Sequence, residues 1–250
     1  MKRLFSKLRG EKLKQFVYWL ALLSFLLPIF FLVFRLITLD ESTVSQAGYR
    51  SRADYSLMLI QCLLGIVVIH VPSLFRRKFN FELPTFLYLE YIIFLYCAIF
   101  LGEVRSFFYR VPHWDIILHG FSSMMAGSFG FIVVALLNQD EHITLNLSPI
   151  FVAIFAFCFA IAIGAVWEIY EFVFDGVLGL NMQKFIEADG TALIGHEALR
   201  DTMEDLIVDC IGALIASITG YFSLQKHDGW ISQALRSHFQ KRAKNSANHP

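Results

Sequence analysis

The sequence predicts an all-α membrane protein, a polytopic bundle of about six transmembrane helices with both termini cytoplasmic, and three observations predict it. Hydrophobic residues make up 56% of the 250-residue chain against 17% charged, with 26 phenylalanines and a mean hydropathy of +0.57, far more apolar than an ordinary soluble domain. The apolar residues fall in runs near or above the roughly 20 residues that a bilayer requires. Lysine and arginine gather in alternate connectors, which is the bias that orients membrane proteins. The formal net charge is +0, so no bulk attraction to nucleic acid is expected. Cys62, Cys97, Cys158 and Cys210 lie inside apolar runs without CxxC spacing and read as small buried hydrophobes.

In chain order, residues 1–14 form a basic cytoplasmic segment with Lys2, Arg3, Lys7, Arg9, Lys12 and Lys14 against Glu11. The run from Gln15 to Leu39 shows no small-residue cleavage site and is expected to stay as the first helix. Pro28 is a candidate kink, and Arg35 can snorkel from its far end. The second span is about Tyr55 to Phe75, ending at Arg76-Arg77-Lys78, and the third is about Pro84 to Leu101 with Glu90 inside it. The fourth, about Trp114 to Leu137, ends at the acidic loop Asn138 to His142. The fifth spans about Pro149 to Phe174 and the sixth about Thr202 to Leu224. This makes residues 15–224 the transmembrane domain and 225–250 a basic cytoplasmic tail with Lys226, Arg236, Lys241, Arg242 and Lys244.

With the N-terminus inside, the basic segment, Arg76-Arg77-Lys78 and the tail share the cytoplasmic side. The opposite side receives only Arg50, Arg52, Arg105, Arg110, Lys184 and Arg200. That orientation puts the start of the fourth span, the end of the fifth and the start of the sixth on one extracytoplasmic face. Each carries acids at helical spacing: Asp115 with His119, Glu168 with Glu171 and Asp175, and Asp201 with Asp205 and Asp209. At about 1.5 Å of rise per residue, His119, Glu168 and Asp209 lie roughly 7, 9 and 10 Å below their helix ends. The three sets can therefore converge.

Ionisable groups within a bilayer cost on the order of 2.5–3.5 kcal/mol each on insertion scales and usually face a bundle interior. So many carboxylates require compensation from a bound cation, from protonation of several acids, or from Arg105, Arg110, Lys184 and Arg200 in the adjoining loops. Imidazole with carboxylates suits a divalent cation of unspecified identity. The candidate ligands are His119, Glu168, Asp205, Asp115 and Asp201, with Glu171 an alternative to Glu168. Glu171 and Asp209 are the acids left for catalysis, Glu171 as general base. The bland reading makes Asp115, Asp175, Asp201 and Glu204 helix-end residues at the headgroup boundary, with Asp201 as an N-cap. Trp114, Trp167 and Tyr170 fit an aromatic belt. Gly120, Gly127, Gly130, Gly164, Gly212 and Gly220 fit close helix packing. His70 and Glu90 read as packing residues, and the loop from Asp175 to Arg200, with His196 and Glu197, as a surface loop or a lid.

The elements Trp114-Asp115-x-x-x-His119-Gly120-Phe121, Trp167-Glu168-x-x-Glu171-Phe172, Asn181-Met182-Gln183 and Asp201-Thr202-Met203-x-Asp205-Leu206 with Gly212-Ala213 resemble the YjdF-like family of bacterial multi-spanning membrane proteins. The match covers residues 85–224. A more distant similarity, Asp-x-x-x-His followed by a Glu and then an Asp heading a last helix, is to VanZ-like membrane proteins. The resemblance implies the bacterial cytoplasmic membrane and a shared polar site, and it brings no activity with it. Three classes of function remain open: a metal-dependent hydrolase or transferase on a lipid or lipid-linked substrate, a cation- or proton-coupled transporter, and a membrane binding or assembly protein. The fourth and sixth spans turn apolar below His119 and Asp209, which favours a site on one face over a complete path.

Overall fold

The computed structural model describes residues 2–39, 52–79, 83–137, 147–187, 190–226, 229 and 231. It is helical throughout, with no strand among the described residues beyond an isolated bridge between Ile186 and Ala192. Among the described residues, six helices are long and apolar enough to cross a membrane. The acidic loop at 138–142 and nearly all of the tail lie outside the described residues. The chain divides into two compact units, Met1–Trp114 with Phe174–Leu180, and Asp115–Val173 with Asn181–Pro250.

The first unit holds α1 (Lys2–Thr38), α2 (Arg52–Val68), α3 (Val71–Phe79), α4 (Thr85–Leu95), a π-helical continuation (Tyr96–Val104) and the short α5 (Phe107–Arg110). Phe25 of α1 packs with Ala21, Ile69, Ile92 and Leu95, while Leu32 packs with Tyr55, Met58 and Cys62. The second span is not one unbroken helix as its hydropathy suggests. Pro72 cannot donate to the Val68 carbonyl four residues back and crowds it. The helix turns at Ile69–His70, and the Val68 oxygen accepts instead from the Tyr91 hydroxyl at 2.6 Å. His70 is held there, its Nδ1 on the Ile66 carbonyl at 2.8 Å and its Nε2 against the Tyr18 hydroxyl at 3.1 Å, which agrees with a packing role.

The second unit is built on α6 (Trp114–Leu137), α7 (Pro149–Leu178) and α8 (Arg200–Gln225). Two of its helices have the reverse of a soluble protein's amphipathicity. On α7, Val166, Ile169 and Phe172 are 61–66% exposed while Glu168 and Glu171 are 4–5% exposed. On α8, Ile207 and Ile211 are exposed while Asp205 and Asp209 are buried. A helix that turns apolar side chains outward and acids inward is adapted to lipid. Small residues close the rest of the seam: Ala126, Ala160 and Ala213 are packed together, and Phe131, fully buried, lies where any Cβ on Gly220 would collide with its ring.

Candidate functional site

The acids and the histidine come together at one end of α6, α7 and α8. Asp115 and His119, one helical turn apart, share a face of α6, and the His119 Nε2 lies 3.8 Å from Asp115 Oδ1. The same nitrogen is 3.8 Å from Glu168 Oε1 on α7 and 3.7 Å from Asp205 Oδ2 on α8. A turn further along α8, Asp209 accepts a hydrogen bond from His119 Nδ1 at 3.4 Å. An ionised carboxylate only accepts, so Nδ1 donates here, and Nε2 faces the three other acids.

The three Nε2 distances are too long for hydrogen bonds. Two donor atoms that share one small divalent cation lie about 3.4 Å apart, so the spacing suits shared ligation to within a few tenths of an ångström. Asp115, His119 and Asp205 each offer one ligand atom, all within 4.8 Å of one another, and such a group could hold a metal ion. Glu168 meets Nε2 from outside that mutually close set.

Satisfaction of the acids is incomplete. Both oxygens of Glu168, Oε2 of Glu171, Oδ2 of Asp205 and Oδ1 of Asp209 are buried and make no hydrogen bond. Thr202 lies beside Glu168, and its hydroxyl accepts from Gln183 Nε2 at 2.8 Å. Buried polar groups are otherwise almost always partnered, which sets these acids apart from the rest of the helix interfaces.

Glu171 Oε1 accepts from Trp167 Nε1 at 3.0 Å, and Trp167 also stacks on Tyr170 with centroids 4.9 Å apart. Trp167 is thus more than a belt residue. Asp201 is not an N-cap: Leu199 holds that position after a 3₁₀ turn at Glu197–Leu199, and α8 has begun by Arg200. Asp201 instead pairs with Lys184. The Lys184 ammonium lies 2.6 Å from Asp201 Oδ1 and 2.7 Å from Asp115 Oδ2. Burial opposes the Lys184 charge, yet the two carboxylates outweigh it and hold the ammonium above the ordinary lysine range. Of the four loop bases that the sequence offers, Lys184 reaches the acids. Arg200 is engaged on the surface with Glu204 at 2.7 Å and Glu197 at 3.7 Å, and Arg105 and Arg110 belong to the first unit, as does the buried Asp175. His196 and Glu197 are exposed on the loop surface, as an ordinary connector would be.

Sequence reasoning gives Lys184 no special place, because nothing local marks which loop base folds back. It also reads Gly164 as generic packing. A Cβ there would run into the Asp209 carboxylate, so the missing side chain is the slot that Asp209 occupies.

The family described as "Predicted membrane protein (DUF2238)" matches residues 22–226. A protein of Thermotoga maritima described as "Uncharacterized protein" is 30% identical over 146 residues, 56% of this chain and 65% of the relative. The chain thus spans just under two thirds of that relative's length. No solved structure matches.

Proposed function

The chain belongs to the DUF2238 family of predicted membrane proteins, and from that premise we propose a metal-dependent hydrolase or transferase, acting on a lipid or lipid-linked substrate at the extracytoplasmic face of the bacterial cytoplasmic membrane. The finer resemblance to YjdF-like proteins is consistent with this placement. One observation carries the reading: a single imidazole nitrogen faces carboxylate oxygens from three helices at 3.7–3.8 Å, while its other nitrogen is held by a fourth acid. Asp115, His119 and Asp205 would hold a divalent cation, with Glu168 beside them. Such a cation, when bound, polarises an ester or phosphoryl oxygen and acidifies water.

The protein's own groups supply the rest. Asp209 fixes the tautomer and tilt of His119 through Nδ1. Glu171, with Oε1 steadied by Trp167, has Oε2 available to take a proton from the attacking water or hydroxyl. Exposed apolar side chains on α7 and α8 would face the lipid, from which such a substrate arrives. Beyond the site, the packed alanines offer no titratable group to carry an ion onward, which disfavours transport.

Elemental analysis of detergent-purified protein tests the ligand set. Stoichiometric metal is expected in the wild type and in Glu171→Gln, and none in His119→Ala. Against lipid and lipid-linked esters, Glu171→Gln is expected to lose about 10²–10⁴-fold in rate with its metal retained. Loss of metal from Glu171→Gln would make Glu171 a ligand and leave the reaction without its base. Orientation has its own check: a cysteine at Ile194, which is 87% exposed, is expected to react with an impermeant maleimide from outside intact cells, and one at Asp140 only after permeabilisation. The reverse pattern would place the site on the cytoplasmic side.

A further inference from the structure

We propose that Lys184 is a positioning residue that turns Asp115 into a metal ligand, an inference that rests on reading Asp115, His119 and Asp205 as the ligand set. The Asp115 carboxylate is divided between two tasks. Its Oδ2 is taken by Lys184 Nζ at 2.7 Å, and its Oδ1 faces His119 Nε2 at 3.8 Å. Holding one oxygen fixes the plane of the carboxylate and so aims the other. The second carboxylate on the ammonium, Asp201 Oδ1 at 2.6 Å, ties that aim to the first turn of α8.

The loop is built to deliver this one side chain. Lys184 has φ +48, a left-handed conformation that a long side chain rarely adopts. The turn closes with Lys184 N donating to the Asn181 carbonyl at 3.3 Å. The Asn181 side chain then imitates a backbone pair, donating to the Ile186 carbonyl at 2.8 Å and accepting from the Ile186 N–H at 2.9 Å. Gln183 anchors the turn to Thr202 at 2.8 Å. A lysine that served only as a diffuse counter-charge would need none of this bracing.

The sign of one measurement separates the two roles. A mere counter-ion repels the incoming cation, so its removal tightens binding. A positioning residue aims a ligand, and loss of such an outer partner typically weakens metal affinity by about 10–100-fold. The experiment is a titration of the full chain in detergent with Mn²⁺, free Mn²⁺ being read by electron paramagnetic resonance, for the wild type, Lys184→Met, Lys184→Arg and Asn181→Ala. Lys184→Met is expected to bind about 10–100-fold more weakly, Lys184→Arg to recover part of the loss, and Asn181→Ala, which keeps the ammonium but loosens its turn, to fall between. Unchanged or tighter binding by folded Lys184→Met overturns the proposal, as does a shift in metal-free thermal unfolding without change in affinity. If Lys184→Met does not fold, wild-type affinity in Asn181→Ala overturns it alone. A wild type that binds neither Mn²⁺ nor Zn²⁺ sinks the ligand reading itself, an outcome distinct from wild-type binding that the Lys184 variants leave unaltered.

Discussion

With metal removed by a chelator, Glu168→Gln and Asp205→Asn are expected to unfold at a higher temperature than the wild type, each by a gain of about 1–3 kcal/mol. The reason lies in the unpaired oxygens. Glu168 is 5% exposed and Asp205 1% exposed, yet both Glu168 oxygens and Asp205 Oδ2 make no hydrogen bond. Each acid faces like-charged neighbours around one imidazole, and Lys184 reaches only Asp115 and Asp201. An amide of the same shape removes a charge from that crowd without opening a cavity. Saturating Mn²⁺ should reverse the order, because a ligand at a hundredfold excess over its Kd stabilises the wild type by about 2.7 kcal/mol and a variant that has lost Asp205 from the ligand set, or the Glu168 charge beside it, gains less. Thermal unfolding in chelator and in Mn²⁺ reads both halves. The experiment also separates a site from a scaffold: if the acids were a structural network that fixes helix packing, each substitution would destabilise the protein in chelator as well as in metal.

The six spans were legible because lipid imposes one rule on a whole run of residues, and that rule survives without knowledge of neighbours. Breaks within spans depend on single contacts. Pro72 signalled the turn at Ile69–His70, but its effect was masked by the hydropathy on both sides, and nothing in Tyr96 to Val104 announces a π-helix. The convergence of Asp115, His119, Glu168, Asp205 and Asp209 was legible for a different reason: spacing of three and four fixes a face, and the distance from a helix end fixes a depth. What could not be read is which atom meets which. Asp209 was grouped with the catalytic acids, and the geometry places it on Nδ1 of His119, behind the ring. Asp201 stands among the candidate ligands, with a cap as its bland alternative because it opens an apolar helix, whereas α8 has already started at Arg200 and Asp201 pairs with Lys184. Lys184 lies 69 residues from Asp115, a pairing that only the folded loop can create.

Gly164→Ala is expected to damage the site directly, through the acid behind His119. A Cβ at Gly164 would meet the Asp209 carboxylate oxygen and, at 2.9 Å, its Cγ as well, so turning the carboxylate alone makes no room. Gly176 on the same helix has nothing within 4 Å of the corresponding atom. Overpacking of this kind costs about 1–3 kcal/mol, and Gly176→Ala should be neutral or stabilising by up to about 1 kcal/mol, as alanine for glycine in a helix is. Displacing Asp209 also strips His119 Nδ1 of its partner, so Mn²⁺ affinity in Gly164→Ala should fall by about 10–100-fold. The double variant Gly164→Ala/Asp209→Ala divides the two effects. Truncating Asp209 empties the slot, so the added methyl no longer collides, and the stability costs should fall short of additivity by about 0.5–3 kcal/mol. Affinity should not recover, because the imidazole still lacks the acid that holds its tautomer. Additive stability losses would mean that Gly164 and Asp209 do not meet, and recovered affinity would mean that Asp209 has no part in aiming His119. The two readouts therefore tell apart a glycine that merely lets helices approach and one whose bare backbone is the seat of the acid behind the histidine.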